Sequence, residues 1–125
     1  MGETTAGERV RVLVVEDSED QAELLRHYFE KAGCEVTTVV TAEQAIEAYR
    51  VEQHDLAVVD LQLPGMDGWQ LSSQLKADRP ECAVAITSVL DATEFPDADA
   101  ILPKPFTGKQ VREVLRSTVP AWKSR

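Results

Sequence analysis

Val10-Arg11-Val12-Leu13-Val14-Val15-Glu16-Asp17 is a β-branched apolar run that stops at two adjacent acids. Such a run suits a strand buried on both faces of a sheet, and its acidic end suits the sheet's edge. Ser18-Glu19-Asp20-Gln21 follows in the S-x-x-Q form of a capping box, and Leu25, Tyr28, Phe29 and Ala32 recur at helical spacing up to Gly33. A strand is therefore followed by a helix of about four turns that closes at the glycine.

The same alternation continues outward. Cys34 to Val40 is a second apolar run, and Thr41-Ala42-Glu43-Gln44 opens a helix whose Ala42, Ala45, Ile46 and Tyr49 share one apolar face. Leu56 to Val59 is the third run and ends at Asp60, after which Pro64-Gly65 and Asp67-Gly68 supply turn residues before a short helix from Trp69 to Lys76. Ala83 to Ile86 is the fourth and ends at Thr87, and Ala100-Ile101-Leu102 is the fifth. Val111, Val114, Leu115 and Val119 mark a last helix. This β-α alternation predicts an α/β fold, a five-stranded parallel sheet doubly wound with helices on both faces. Ligands of such sheets bind outside the carboxyl ends of the strands.

The chain length of 125 residues suits one domain with one core, expected over 9–120 between a disordered N-terminal segment, 1–8, and a C-terminal tail, 121–125. A net charge of −9 argues against direct nucleic-acid binding, which needs clustered Lys and Arg. No apolar stretch approaches the roughly 20 residues of a bilayer span, and Met1-Gly2-Glu3-Thr4-Thr5-Ala6 lacks both a signal-peptide apolar region and the hydroxyl residue of a myristoylation motif. A cytoplasmic protein without membrane insertion is expected. Cys34 and Cys82 have the spacing of neither a zinc site nor a redox pair and read as small buried side chains.

The apolar runs deliver Glu16 and Asp17, then Asp60, Thr87 and Lys104, to one edge. Any one of these alone reads as a solvated loop residue; together they form a constellation. Crowded carboxylates repel unless a cation screens them. Oxygen donors and an open site that awaits a phosphate oxygen suit Mg²⁺ better than zinc. Lys104 brings a positive point charge and Thr87 a hydroxyl donor for phosphoryl oxygens, leaving Asp60 as the nucleophile. A carboxylate oxygen attacking phosphorus gives an acyl phosphate, and the transfer depends on positioning and charge neutralisation.

Val12-Leu13-Val14-Val15-Glu16-Asp17, Val58-Val59-Asp60-Leu61-Gln62-Leu63-Pro64-Gly65-Met66-Asp67-Gly68, Ile86-Thr87-Ser88 and Lys104-Pro105-Phe106 resemble, in order, the signature segments of response-regulator receiver domains. The resemblance covers nearly the whole chain. It implies the strand order 2-1-3-4-5, a phosphoacceptor role for Asp60, and Mg²⁺ held by Asp17, Asp60 and the backbone carbonyl of Gln62, with Glu16 assisting through a metal-bound water. It further implies that Thr87 and Lys104 contact the phosphoryl group and that the peptide before Pro105 is cis. The implied role is that of a cytoplasmic phosphoprotein in a two-component system, a phosphorelay signal-transduction element. It is not an enzyme beyond its own phosphorylation and dephosphorylation. Its partners would be a sensor histidine kinase or histidine phosphotransfer protein and an unknown downstream protein.

Three departures from the family stand out. Ser88 replaces the small Ala or Gly common after the threonine, which either restricts access or adds a hydroxyl contact. Ile101 occupies the position of the usual Tyr or Phe, which puts the aromatic switch route in doubt. Thr87 and Lys104 are only seventeen positions apart, so a crossover that needs about 10 to 12 residues leaves room for at most about one helical turn between Ser88 and Asp99, and the family's fourth helix is expected to be short or absent. His27 and His54 lack partners at metal spacing and read as exposed or half-buried structural residues. Trp69 and Trp122 read as ordinary amphipathic aromatics at a helix start and a frayed tail.

With the last helix ending near Val119, the expected mode of action is a single-domain switch acting in trans. A phosphotransfer intermediate or phosphate sink would share its chemistry and differ in partners. A pseudo-receiver scaffold is favoured by the missing aromatic and opposed by the complete acidic cluster. A small hydrolase or flavin binder of similar architecture would show turnover or colour.

Overall fold

A computed structural model describes residues 9–61, 63, 68–88, 98–120 and 122. Along them run β1 (Arg11–Val15), α1 (Glu19–Lys31), β2 (Glu35–Val39), α2 (Ala42–Val51), β3 (Leu56–Asp60), α3 (Gly68–Asp78), β4 (Ala83–Ser88), β5 (Ala100–Pro103) and α4 (Gly108–Thr118). The strands form one parallel sheet in the order β2-β1-β3-β4-β5, as the resemblance implies. The expectation of a short or absent helix between Ser88 and Asp99 concerns residues 89–97, which lie outside the described residues.

The apolar runs make a double-sided core because side chains alternate across a strand. Val12 and Val14 of β1 and Val58 of β3 face Leu25 and Phe29 of α1 and Val111 and Leu115 of α4. Leu13 and Val15, with Ala57 and Val59, face Ala45 and Tyr49 of α2 and Leu71 and Leu75 of α3. Each such large side chain, buried completely, contributes about 1.5–3 kcal/mol of transfer free energy, and this layering fixes the register. Cys34 and Cys82 are both buried, as expected.

Helix termini follow the sequence signals with local differences. Ser18 caps α1 by accepting from the Gln21 amide at 3.4 Å, but Gln21 does not complete the capping box, since its Oε1 has no hydrogen-bond partner among the described residues. Thr41 caps α2 through the Gln44 amide at 3.1 Å, while the Gln44 side chain accepts from the Val40 amide at 2.9 Å. The complete reciprocal box is at Thr107 and Gln110, where the sequence T-x-x-Q carries the same signal. Gly33 has φ 92°, the left-handed conformation that lets the chain leave α1 and turn into β2.

Four local expectations are corrected. The second apolar run is a half-exposed strand rich in threonine, because β2 lies at the sheet edge. The third helix extends to Asp78, beyond Lys76, where it meets α2: Tyr49 donates to Asp78 Oδ2 at 2.7 Å and Arg79 Nε donates to the Tyr49 carbonyl at 3.1 Å. His54 is buried at 6% exposure. Trp122, expected in a tail over 121–125, packs in the core beside Ala32, and its Nε1 donates to the Ala32 carbonyl at 2.9 Å.

Candidate functional site

The carboxyl ends of β1, β3 and β4 and the turn after β5 bring together the residues that the sequence singles out. Glu16 and Asp17 follow β1 directly, Asp60 ends β3 and pairs in register with Thr87 of β4, and Lys104 follows β5. Single oxygens of the Glu16, Asp17 and Asp60 carboxylates all lie within 4.8 Å of one another. Asp17 is exposed, whereas Glu16 and Asp60 are buried, so the cluster has one open side.

Lys104 Nζ lies 3.5 Å from Glu16 Oε1 and 3.5 Å from Asp60 Oδ2. Strong ammonium–carboxylate hydrogen bonds run at about 2.7–2.9 Å, so the ammonium bridges both acids without closing tightly on either. Such looseness suits a charge that must also meet an incoming anion. The Lys104-Pro105 peptide is cis.

Electrostatics show the strain of the cluster. Burial, a hydrogen bond with Asp60 and the Asp60 charge push the Glu16 carboxyl up from 4.5 to about 7, although the Ser18 amide and Lys104 pull the other way. One lysine does not neutralise three carboxylates, and an added divalent cation would remove the remaining repulsion. Because every donor of the set is an oxygen and one side is open, the residues fit a hard ion that keeps waters.

Thr87 is 1% exposed, and its Oγ1 has no hydrogen-bond partner among the described residues. Leaving a buried hydroxyl unpaired costs about 1–3 kcal/mol, a cost that an anion accepted into the site would relieve. Gln62, whose carbonyl the resemblance assigns to the metal, lies outside the described residues, and so does the side chain of Ser88. Ile101 pairs with Ile86 and packs partly buried on the α2–α3 side of the sheet.

The sequence reading of Asp67-Gly68 as a turn misses one role of Gly68. This residue starts α3 directly over the end of β3, its amide donating to the Leu61 carbonyl at 3.2 Å. A Cβ there would lie 2.4 Å from the Asp60 carbonyl oxygen and 2.6 Å from Leu61 Cα. Only a glycine lets the helix approach the backbone of Asp60 this closely.

Comparison with known proteins gives the family. The family model of the response regulator receiver domain matches residues 12–116. The chain is 31% identical over 108 residues to the alkaline phosphatase synthesis transcriptional regulatory protein PhoP of Bacillus subtilis, covering 81% of this chain and 45% of that protein. It is 36% identical over 84 residues to a cyclic di-GMP phosphodiesterase of Thermotoga maritima, covering 67% of this chain and 22% of that one. The chain thus spans less than half the length of these relatives.

Among solved structures, the chemotaxis response regulator CheY4 of Vibrio cholerae superposes with a TM-score of 0.82 at 20% identity, over 89% of this chain and 99% of that one, which shows the fold. The signal receiver domain of a Luxo repressor protein from Vibrio parahaemolyticus gives 0.79 at 28% identity, over 90% and 92%. No helix among the described residues is long and apolar enough to cross a membrane. Family model, relatives and fold point one way: the chain belongs to the response regulator receiver domains of two-component systems.

Proposed function

We propose that this receiver accepts a phosphoryl group on Asp60 from a sensor histidine kinase or a histidine phosphotransfer protein, and that the phosphorylated form signals through protein–protein contacts. The observation that carries this reading is the placement of Lys104 Nζ at 3.5 Å from both Asp60 and Glu16, with Asp60 in register with Thr87, whose buried hydroxyl has no partner among the described residues. A nucleophile, a cation and a spare donor converge on one point. As the Asp60 oxygen bonds to phosphorus, the phosphorus–nitrogen bond to the donor imidazole breaks, and the imidazole leaves with the bonding pair.

Asp17 and Asp60 would hold Mg²⁺ directly, with the Gln62 carbonyl completing the protein ligands and Glu16 acting through a water. Bound there, the ion would supply neutralisation of charge on the phosphoryl oxygens. Lys104 would hold one of those oxygens and Thr87 would donate to another, while Asp60 attacks in line. Outside its own phosphorylation and dephosphorylation, the domain would turn over no substrate. A target in trans and a cytoplasmic location complete the reading.

Incubation with phosphoramidate, followed by intact mass measurement, tests it. A gain of one phosphoryl group that requires Mg²⁺ and disappears with chelator is the expected result. An unchanged mass with Mg²⁺ present would overturn the reading.

A further inference from the structure

The outer edge of β2 carries features that the phosphoryl site does not use. Among the described residues, Val40 and Val51 are the exposed large hydrophobics, at 45% and 81% exposure. Val51 lines a groove of about 550 Å³ between β2 and α2, and Val40 adjoins it through the hydrogen bond of its amide to Gln44, another lining residue. Thr37, Thr38 and Val39 form one wall. Consecutive strand residues point to opposite faces of a sheet, so a wall made of three in a row runs along the strand's edge and exposes its backbone.

β2 is guarded by charge only at its start, where Glu35 pairs with Arg11 at 3.5 Å. It contains no Pro or Lys, and its register with β1 runs unbroken from Glu35 to Val39 without a bulge. The opposite edge, β5, ends in Pro103. An edge unguarded beyond its start takes an added strand through main-chain hydrogen bonds.

Charge selects the occupant. Glu47 and Glu52 stand on the α2 wall beside the apolar Ala48 and Val51, and no Lys or Arg among the described residues lines the groove. Arg26, which reaches Thr38 from α1, is engaged with the Thr38 hydroxyl at 2.9 Å. We propose that the β2 edge and the α2 groove form a docking surface for an extended basic segment of a partner protein, one that alternates apolar and cationic side chains and adds to the sheet as a strand. A second copy of this chain is disfavoured as the occupant, because its β2 edge and groove bring no Lys or Arg among the described residues to meet Glu47 and Glu52. The surface shares no residue with the Glu16, Asp17 and Asp60 cluster.

The probe is the acetylated peptide Lys-Val-Lys-Thr-Lys-Val-Lys, titrated into the whole protein and followed by backbone amide chemical shifts. Two control peptides carry proline at the central position or glutamate in place of lysine. Expected are shifts concentrated at residues 37–39 and along the groove face of α2, lost with both controls. The surface charge-reversal variant Glu47→Lys/Glu52→Lys should weaken binding several-fold and leave the far edge of the sheet unperturbed. Absence of shifts at β2, shifts gathered instead around Glu16 and Asp60, equal binding of either control, or self-association of the protein through β2 would overturn the proposal.

Discussion

Gly68 stands so close to Asp60 that a methyl group on its Cα would lie 2.4 Å from the Asp60 carbonyl oxygen. Gly68→Ala should therefore lower stability. In an open helix the change would gain up to about 1 kcal/mol, but overlap with backbone has no rotamer to relieve it, and overpacking costs about 1–3 kcal/mol. A lower urea midpoint and weaker Mg²⁺ binding are expected together, because the displaced helix would move the backbone of Asp60. An unchanged midpoint would show that α3 can shift freely.

Lys104→Ala should separate metal binding from phosphoryl transfer. Removing the ammonium that lies 3.5 Å from two carboxylates leaves Mg²⁺ without a competing cation, so its affinity should hold or rise. The rate of labelling should fall on the order of tenfold or more, since a group that stabilises transferring charge is lost. Labelling at the parental rate would remove Lys104 from the reaction.

His54 should make stability depend on pH. Burial lowers its pKa below 6.5 against the raising influence of Glu52. The neutral ring is thus favoured in the fold, and its contribution is complete above about 6.5 and lost as pH falls through the lowered folded value. Glu16 acts oppositely: raised from 4.5 to about 7, it contributes most below 4.5 and loses that contribution as pH rises through about 7. The stability difference between the parent and His54→Phe isolates the histidine. The parent should lose stability relative to the variant on acidification from pH 7 to about 5; parallel urea curves at both pH values would contradict this.

Trp122 should act as a core residue. Trp122→Ala should cost about 3 kcal/mol as a buried aromatic is deleted, and Trp122→Phe about 1 kcal/mol through loss of the hydrogen bond to the Ala32 carbonyl. Equal stability of all three proteins in thermal melts would return the residue to a tail.

The sheet is legible in the sequence because its buried strands are continuous apolar runs, and the site is legible because three of those runs stop at an acid or a hydroxyl. Less visible is whatever tertiary contact decides. β2 has the length of a strand but too many threonines for a buried one, and only its place at the edge explains that. Trp122 follows Pro120, which ends the helical period, so nothing local announces its packing. The Tyr49–Asp78 and Arg79–Tyr49 contacts join residues about thirty positions apart, beyond any local pattern. Gly68 reads as a turn glycine until β3 is seen beneath it. The Thr107 box, by contrast, was within reach of the sequence through the same S/T-x-x-Q rule that places the caps at Ser18 and Thr41.

Borohydride reduction of the phosphorylated protein, followed by peptide mass analysis, tests the central claim most directly, because hydride converts an aspartyl phosphate to homoserine and spares a free carboxylate. The account predicts homoserine at position 60 and nowhere else, with none formed in Asp60→Asn or without Mg²⁺. Homoserine formed from Asp17, or a label that resists borohydride on a serine, threonine or histidine, would contradict it.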